Sequence, residues 1–134
     1  MANKSKRKIL IIENDENISS VISTRFLSLG YDVSLSTNGA EALIIFNQEW
    51  PDLVILDILL PKIDGYEVCR RIRKKSKVPI IILTALNKVS NRIMGLKIGA
   101  DDYITKPFSL IELEIRVMAK LRRSDPQKFE TLPN

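Results

Sequence analysis

Short, uninterrupted apolar runs alternate with stretches of helical period along almost the whole chain, and this alternation limits the fold more than any other feature. Ile9 to Ile12 is one such run, Leu53, Val54, Ile55 and Leu56 a second, and Pro79 to Leu83 a third. None shows the in–out alternation of a strand with one wet face, so each predicts a short strand covered on both sides. Between them, Ile18, Val21, Ile22, Phe26 and Leu29 recur at helical spacing, and Gly30 follows as a stop. Tyr31 to Ser36 alternates, with Tyr31, Val33 and Leu35 on one side, and Ala40 to Phe46 is helical. Pro61, Asp64 and Gly65 are turn signals before a helix running to about Lys75. Val89 to Ile98 is a further helical stretch ending at Gly99. A short strand near Tyr103 and Ile104 precedes Pro107 and a helix from about Ser109 to Arg123.

Strands and helices in strict alternation imply parallel βαβ units with crossover helices on both sheet faces. The predicted fold is α/β, a flavodoxin-like doubly wound five-stranded parallel sheet with strand order 2-1-3-4-5 and five helices. A length of 134 residues suits one domain of common size. Residues 1–123 are assigned to it, and SDPQKFETLPN (124–134), with two prolines and no periodicity, reads as a linker or disordered tail. No apolar run approaches the roughly 20 residues of a membrane span, and MANKSKRK leads straight into a strand, leaving no signal-peptide core. The expectation is a cytoplasmic domain with no membrane partner.

The composition excludes much chemistry. With no histidine and one cysteine, the chain cannot supply a Ser-His-Asp triad, a histidine base, a His-containing zinc site or an internal disulfide. Carboxylates, hydroxyls, lysines and backbone groups are what remain. The net charge of +5 is clustered at Lys4, Lys6, Arg7 and Lys8, at Arg70, Arg71, Arg73, Lys74, Lys75 and Lys77, and at Lys120, Arg122, Arg123 and Lys128. Such faces can attract nucleic-acid phosphates. Solvated helix ends, with cations favoured near C-termini, are the preferred reading, because no aromatic residue alternates with the charges. Cys69 reads first as a small hydrophobe, with a cation-activated thiol as the alternative.

In an open α/β sheet, sites form beyond the carboxyl ends of the strands. Glu13, Asn14, Asp15 and Glu16 follow the first strand, Asp57 the third, Thr84 the fourth and Lys106 the fifth. The predicted order makes the first and third strands neighbours, so Glu13 and Asn14 face Asp57, with Thr84 and Lys106 approaching from the other side. A carboxylate inside DLVILDILLP is costly to bury unless it is paired or coordinates a cation. Alone, Asp57 could be an ordinary strand-end aspartate, and Thr84 a helix cap. Together, acids suited to a hard cation such as Mg2+, a lysine and a hydroxyl describe phosphoryl handling.

At this point the sequence resembles the receiver domain of bacterial two-component response regulators. KILIIENDE, PDLVILDILLPKIDGYE, VPIIILTA and GADDYITKPF occur in that order at the family's spacing, over about residues 7 to 123. GADDYITKPFSLIELEIRV further resembles the OmpR/PhoB-like subfamily, and the overall wording, including DGYEVC, is similar to cyanobacterial and plastid members, which places the expected site of action in the plastid stroma if the chain is plastid-encoded. The resemblance implies a switch rather than an enzyme. Asp57 would be the phosphoacceptor, taking the phosphoryl group from a histidine kinase. Mg2+ would be bound by Asp57, by Glu13 and Asn14, and by the backbone carbonyl of Leu59. Lys106 and Thr84 would contact phosphoryl oxygens, Ala85 would leave room beside them, and Tyr103 would be the aromatic switch. The Lys106–Pro107 bond would be cis.

The resemblance also implies a homodimer on phosphorylation, through the fourth helix, fifth strand and fifth helix, with Arg92, Asp102, Glu112 and Arg116 at ion-pair positions across the interface. Solvated surface charge explains those four residues about as well, and Lys97 stands where related members often have an acid. Leu110, Leu113, Val117 and Leu121 form one stripe of the last helix, and Ile111, Ile115 and Met118 a second available to a partner. DNA binding would reside in a C-terminal domain outside this sequence, which reads as an isolated receiver fragment, the preferred reading, or as a stand-alone receiver. One departure stands out: Asn14 occupies the position of the family's direct aspartate ligand, removing a negative charge. Two readings follow, a working site that needs more Mg2+, which is preferred, or a pseudo-receiver that acts independently of phosphorylation. A haloacid-dehalogenase-like phosphatase would need a second aspartate at position 59, which is leucine, and Glu13 to Glu16 would repel the phosphate of a flavin.

Overall fold

The structure, a computed structural model, describes residues 6–123. The order is β1 (Lys8–Ile12), α1 (Glu16–Ser28), β2 (Asp32–Ser36), α2 (Gly39–Glu49), β3 (Leu53–Leu56), α3 (Gly65–Arg73), β4 (Ile80–Thr84), α4 (Val89–Ile98), β5 (Asp102–Thr105) and α5 (Leu110–Arg123). All strand pairs are parallel and the sheet order is β2-β1-β3-β4-β5, as the alternating pattern predicts. The expectation for 124–134 lies outside the described residues.

The apolar strands serve two cores at once, which is why they lack polar alternation. Successive side chains point to opposite faces of a strand. Leu10, Ile12, Val54, Leu56, Ile80 and Ile82 therefore pack with Ala42 and Phe46 of α2 and Val68, Cys69 and Ile72 of α3. Ile9, Ile11, Leu53, Ile55, Ile81 and Leu83 pack on the other face with Ile22 and Phe26 of α1 and Leu113, Val117 and Leu121 of α5. Each such large side chain contributes about 1.5–3 kcal/mol on burial. The outer stripe of α5 stays in solvent: Ile111, Ile115 and Met118 are all exposed.

Polar side chains set the helix starts. Asp15 Oδ1 accepts hydrogen bonds from the Asn17 and Ile18 amides at the head of α1, Asn38 caps α2 and Asp64 caps α3. Lys88 precedes α4 without a side-chain cap. The departures from expectation concern the rim. β2 begins at Asp32 rather than Tyr31 and is an edge strand, so Leu35 is exposed. Val21 and Leu29 of the α1 series are also exposed, because Ile22 and Phe26 define the inward face.

Candidate functional site

β1 and β3 lie side by side, so the residues leaving their carboxyl ends meet. The Asp57 amide donates to the Ile12 carbonyl at 3.0 Å, which fixes Asp57 beside Glu13. Both carboxylates are buried, Glu13 at 4% and Asp57 at 5% exposure. Lys106 arrives from the end of β5, held to β4 by its amide on the Thr84 carbonyl at 2.8 Å. Its ammonium donates to Glu13 Oε1 at 2.7 Å and to Asp57 Oδ2 at 2.9 Å. The Lys106–Pro107 bond is cis, as the resemblance implied.

The second oxygen of each acid is partly engaged as well. Asp57 Oδ1 accepts from the Leu59 amide at 3.1 Å, and Glu13 Oε2 from the Asp15 amide at 3.0 Å. Burial pushes the Glu13 carboxyl above its usual range, and the neighbouring Asp57 charge adds to that, against the lowering effect of its bonds to Lys106 and Asp15. Burial alone would pull the Lys106 ammonium down. Its bonds to the two carboxylates outweigh that and hold it above the usual lysine value. One ammonium against two carboxylates leaves the crevice one cation short, with hard oxygen donors, the combination that suits a divalent ion such as Mg2+.

Asn14 is exposed at the rim, and Asp15 is committed to capping α1, so neither places a third carboxylate beside Glu13 and Asp57. Among the described residues no group of three or more acidic, histidine or cysteine side chains is gathered to hold a metal. The carboxylate oxygens that the structure gathers at the crevice are those of Glu13 and Asp57. Leu59 itself is exposed.

Thr84 is fully buried at the end of β4, its Oγ1 accepting from the Leu86 amide at 3.4 Å. Ala85 beside it is exposed. Tyr103 points inward at 4% exposure, its hydroxyl donating to the Leu86 carbonyl at 2.8 Å and its ring lying beneath the Arg92 guanidinium at 5.6 Å. Burial pushes its phenol up to about 12.

The four expected interface charges share one side of the molecule. Arg116 is already engaged within its own chain, donating from Nη1 to both Asp102 oxygens at 2.8 Å and from Nη2 to Glu112 at 2.8 Å. Around these ion pairs Val89, Ile93, Met94 and Leu96 of α4 and the outer stripe of α5 are exposed.

Other residues turn out to be structural. Arg70 and Arg71 pair with Glu67, and Lys75 bonds Asn47 and lies over Phe46, in line with solvated helix ends. Cys69 is completely buried and desolvation raises its thiol to about 11, which removes the activated-thiol alternative. Sequence reasoning did not single out Arg73 from the charge cluster. It donates to the carbonyls of Ser76, Val78 and Gly99 and to Asp101, tying α3 to the end of α4. Nor did it give Gly65 a packing role: a Cβ there would lie 2.2 Å from the Asp57 carbonyl oxygen. No sequence signal marks backbone acceptors or such close approaches.

Fold and site together define a doubly wound α/β domain with an acid–lysine crevice at the strand ends. Residues 9–118 match the family described as the response regulator receiver domain, and the chain belongs to that family. A probable transcriptional regulator ycf27 of Porphyra purpurea is 54% identical over 120 residues, covering 90% of this chain and 49% of that protein. Its counterpart in Guillardia theta is 52% identical over 128 residues, covering 96% and 50%. This chain thus spans about half the length of the curated relatives it matches. Among solved structures, the Francisella response regulator 1452 receiver domain superposes with a TM-score of 0.85 at 39% identity, covering 90% of this chain and 100% of that one. The BeF3-activated receiver domain of Klebsiella pneumoniae RstA gives 0.83 at 36% identity, covering 87% and 99%.

Proposed function

We propose that this chain is a phosphorylation-controlled receiver in which Asp57 accepts a phosphoryl group from a phosphohistidine of a histidine kinase. The observation that carries the reading is the Lys106 ammonium 2.9 Å from a buried Asp57 carboxylate that Glu13 adjoins. An Asp57 oxygen attacks phosphorus as the kinase's N–P bond breaks, and the bonding electrons stay on the imidazole nitrogen. The product is an acyl phosphate on Asp57 and a free kinase histidine. Lys106 releases its bond to Asp57 and follows the charge onto the phosphoryl oxygens. Asp57, Glu13, the Asn14 amide and the Leu59 carbonyl would hold Mg2+, which when bound supplies positive charge beside the transferring group.

Thr84 then meets a phosphoryl oxygen with its hydroxyl, a reading supported by its tie through the Leu86 backbone to the Tyr103 hydroxyl. Phosphorylation then biases the α4–β5–α5 face toward a symmetric dimer with a second copy of this chain. Arg92, Asp102, Glu112 and Arg116 set its register by exchanging some of their partners within the chain for partners across the interface. Residues 1–123 form the receiver, 124–134 lead onward, and transcriptional control through DNA belongs to a further domain of the kind implied by the relatives' names and length. Among the described residues no helix is long and apolar enough to cross a membrane.

Intact mass after treatment with a small phosphodonor tests this reading. Phosphate uptake that requires Mg2+ and vanishes in Asp57→Asn is expected; a chain that stays unmodified at high Mg2+ refutes it. That second result would favour the pseudo-receiver, a reading supported by Asn14 in place of an acid.

A further inference from the structure

We infer that Gly95 is a positioning residue whose bare α-carbon is the seat for the inward Tyr103 ring, so that position 95 sets the balance between the inward and outward ring. The inference extends the proposed switch at Thr84 and Tyr103 and names the element of α4 that reads it. Gly95 is the only buried residue of α4. A Cβ built on it would lie 2.8 Å from Ile82 Cδ1 and 3.1 and 3.2 Å from Tyr103 Cδ2 and Cε2. Ile82 is fully buried in a strand flanked by β3 and β5, and the atom met is the free end of its side chain. A cavity of about 260 Å3 lies beside the Tyr103 ring, lined by Arg92, Thr105, Phe108, Glu112 and Arg116 among others. A methyl group at position 95 therefore presses on both side chains, and the ring is the one with open space beside it.

The same contact explains why the ring position matters to α4. The helix has no side-chain cap at Lys88 and is held at its far end by Arg73 on the Gly99 carbonyl. Along its length it rests on Tyr103 through Arg92 and Gly95, and near its head on Tyr66, whose hydroxyl donates to the Asn91 carbonyl at 3.2 Å. When the ring leaves, it gives up its bond to the Leu86 carbonyl, and the residue whose amide binds Thr84 loses its anchor.

Fluorotyrosine labelling gives one fluorine resonance for each of Tyr31, Tyr66 and Tyr103, with the last assigned by Tyr103→Phe. In the unphosphorylated chain, Gly95→Ala is expected to give the Tyr103 resonance the solvent isotope shift of an exposed ring and to leave that of the distant Tyr31 in place. A Tyr103 resonance that remains protected in a folded Gly95→Ala chain overturns the inference. Should Gly95→Ala not fold, adding Tyr103→Leu must restore folding, because the ring is the obstacle; failure to restore it also overturns the inference. Phosphorylation is read separately by mass. If the parent chain takes up no phosphate, the proposed function falls, while the fluorine result still decides the role of Gly95.

Discussion

Lys106 and Asp57, 49 residues apart in sequence, are joined by a 2.9 Å hydrogen bond from the ammonium to Asp57 Oδ2. The bond closes the crevice from the β5 side and carries the only cation in contact with either buried carboxylate among the described residues. Its electrostatic consequences can be measured without any phosphodonor.

Replacing Lys106 with methionine leaves Glu13 and Asp57 buried and uncompensated. A loss of about 3 kcal/mol at neutral pH is expected in denaturant unfolding. Glu13 has a folded value above its usual 4.5, so it takes up a proton earlier than in the unfolded chain as pH falls. That uptake removes the repulsion, and the deficit of the variant should shrink on acidification. Lys106 is itself raised above 10.5, so its contribution in the parent is full below that pH and disappears as pH rises through the higher folded value. A deficit that does not change with pH would contradict this account.

Asn14→Asp restores a negative charge at the rim of the crevice. Mg2+ affinity measured by calorimetry should rise roughly tenfold, about 1.4 kcal/mol. Unchanged affinity would mean that position 14 lies outside the metal's reach.

Gly65→Ala places a methyl group against the Asp57 backbone, 2.2 Å from its carbonyl oxygen, where no side-chain tip can give way. The expected cost is about 2–3 kcal/mol of stability, with slower phosphate uptake because Asp57 is displaced. Full stability in thermal unfolding would show that α3 can shift freely.

Cys69 should resist thiol reagents at neutral pH in the folded chain and react once the chain is unfolded. Its side chain has no exposure, and a thiol at about 11 is almost entirely protonated there. Rapid labelling without unfolding would disprove the burial.

Much of this arrangement was legible in the residues. Because the runs at Ile9, Leu53 and Pro79 lack alternation, they had to be covered on both faces, and that requirement alone leads to a parallel sheet and to the meeting of Glu13, Asp57, Thr84 and Lys106 at one end. The two stripes of α5 also separated as their spacing implied. What escaped depends on backbone geometry and on edges. Arg73 binds carbonyls that any residue could have supplied, Gly65 matters for an atom it lacks, and Leu35 is exposed because β2 has a neighbour on one side only. The bidentate pairing of Arg116 with Asp102 escaped too, since sequence distance does not tell a bond within one chain from a bond between two.

A sheet in which every strand runs the same way sends all helices back in the opposite direction. The last turn of α5, at Arg123, therefore lies at the pole remote from Asp57. The acidic crevice sits at the other pole, where the strands end. If the domain is the switch proposed above, news of an event there travels along the flank formed by α4, β5 and α5, and mutations on that flank silence the domain while leaving its chemistry untouched.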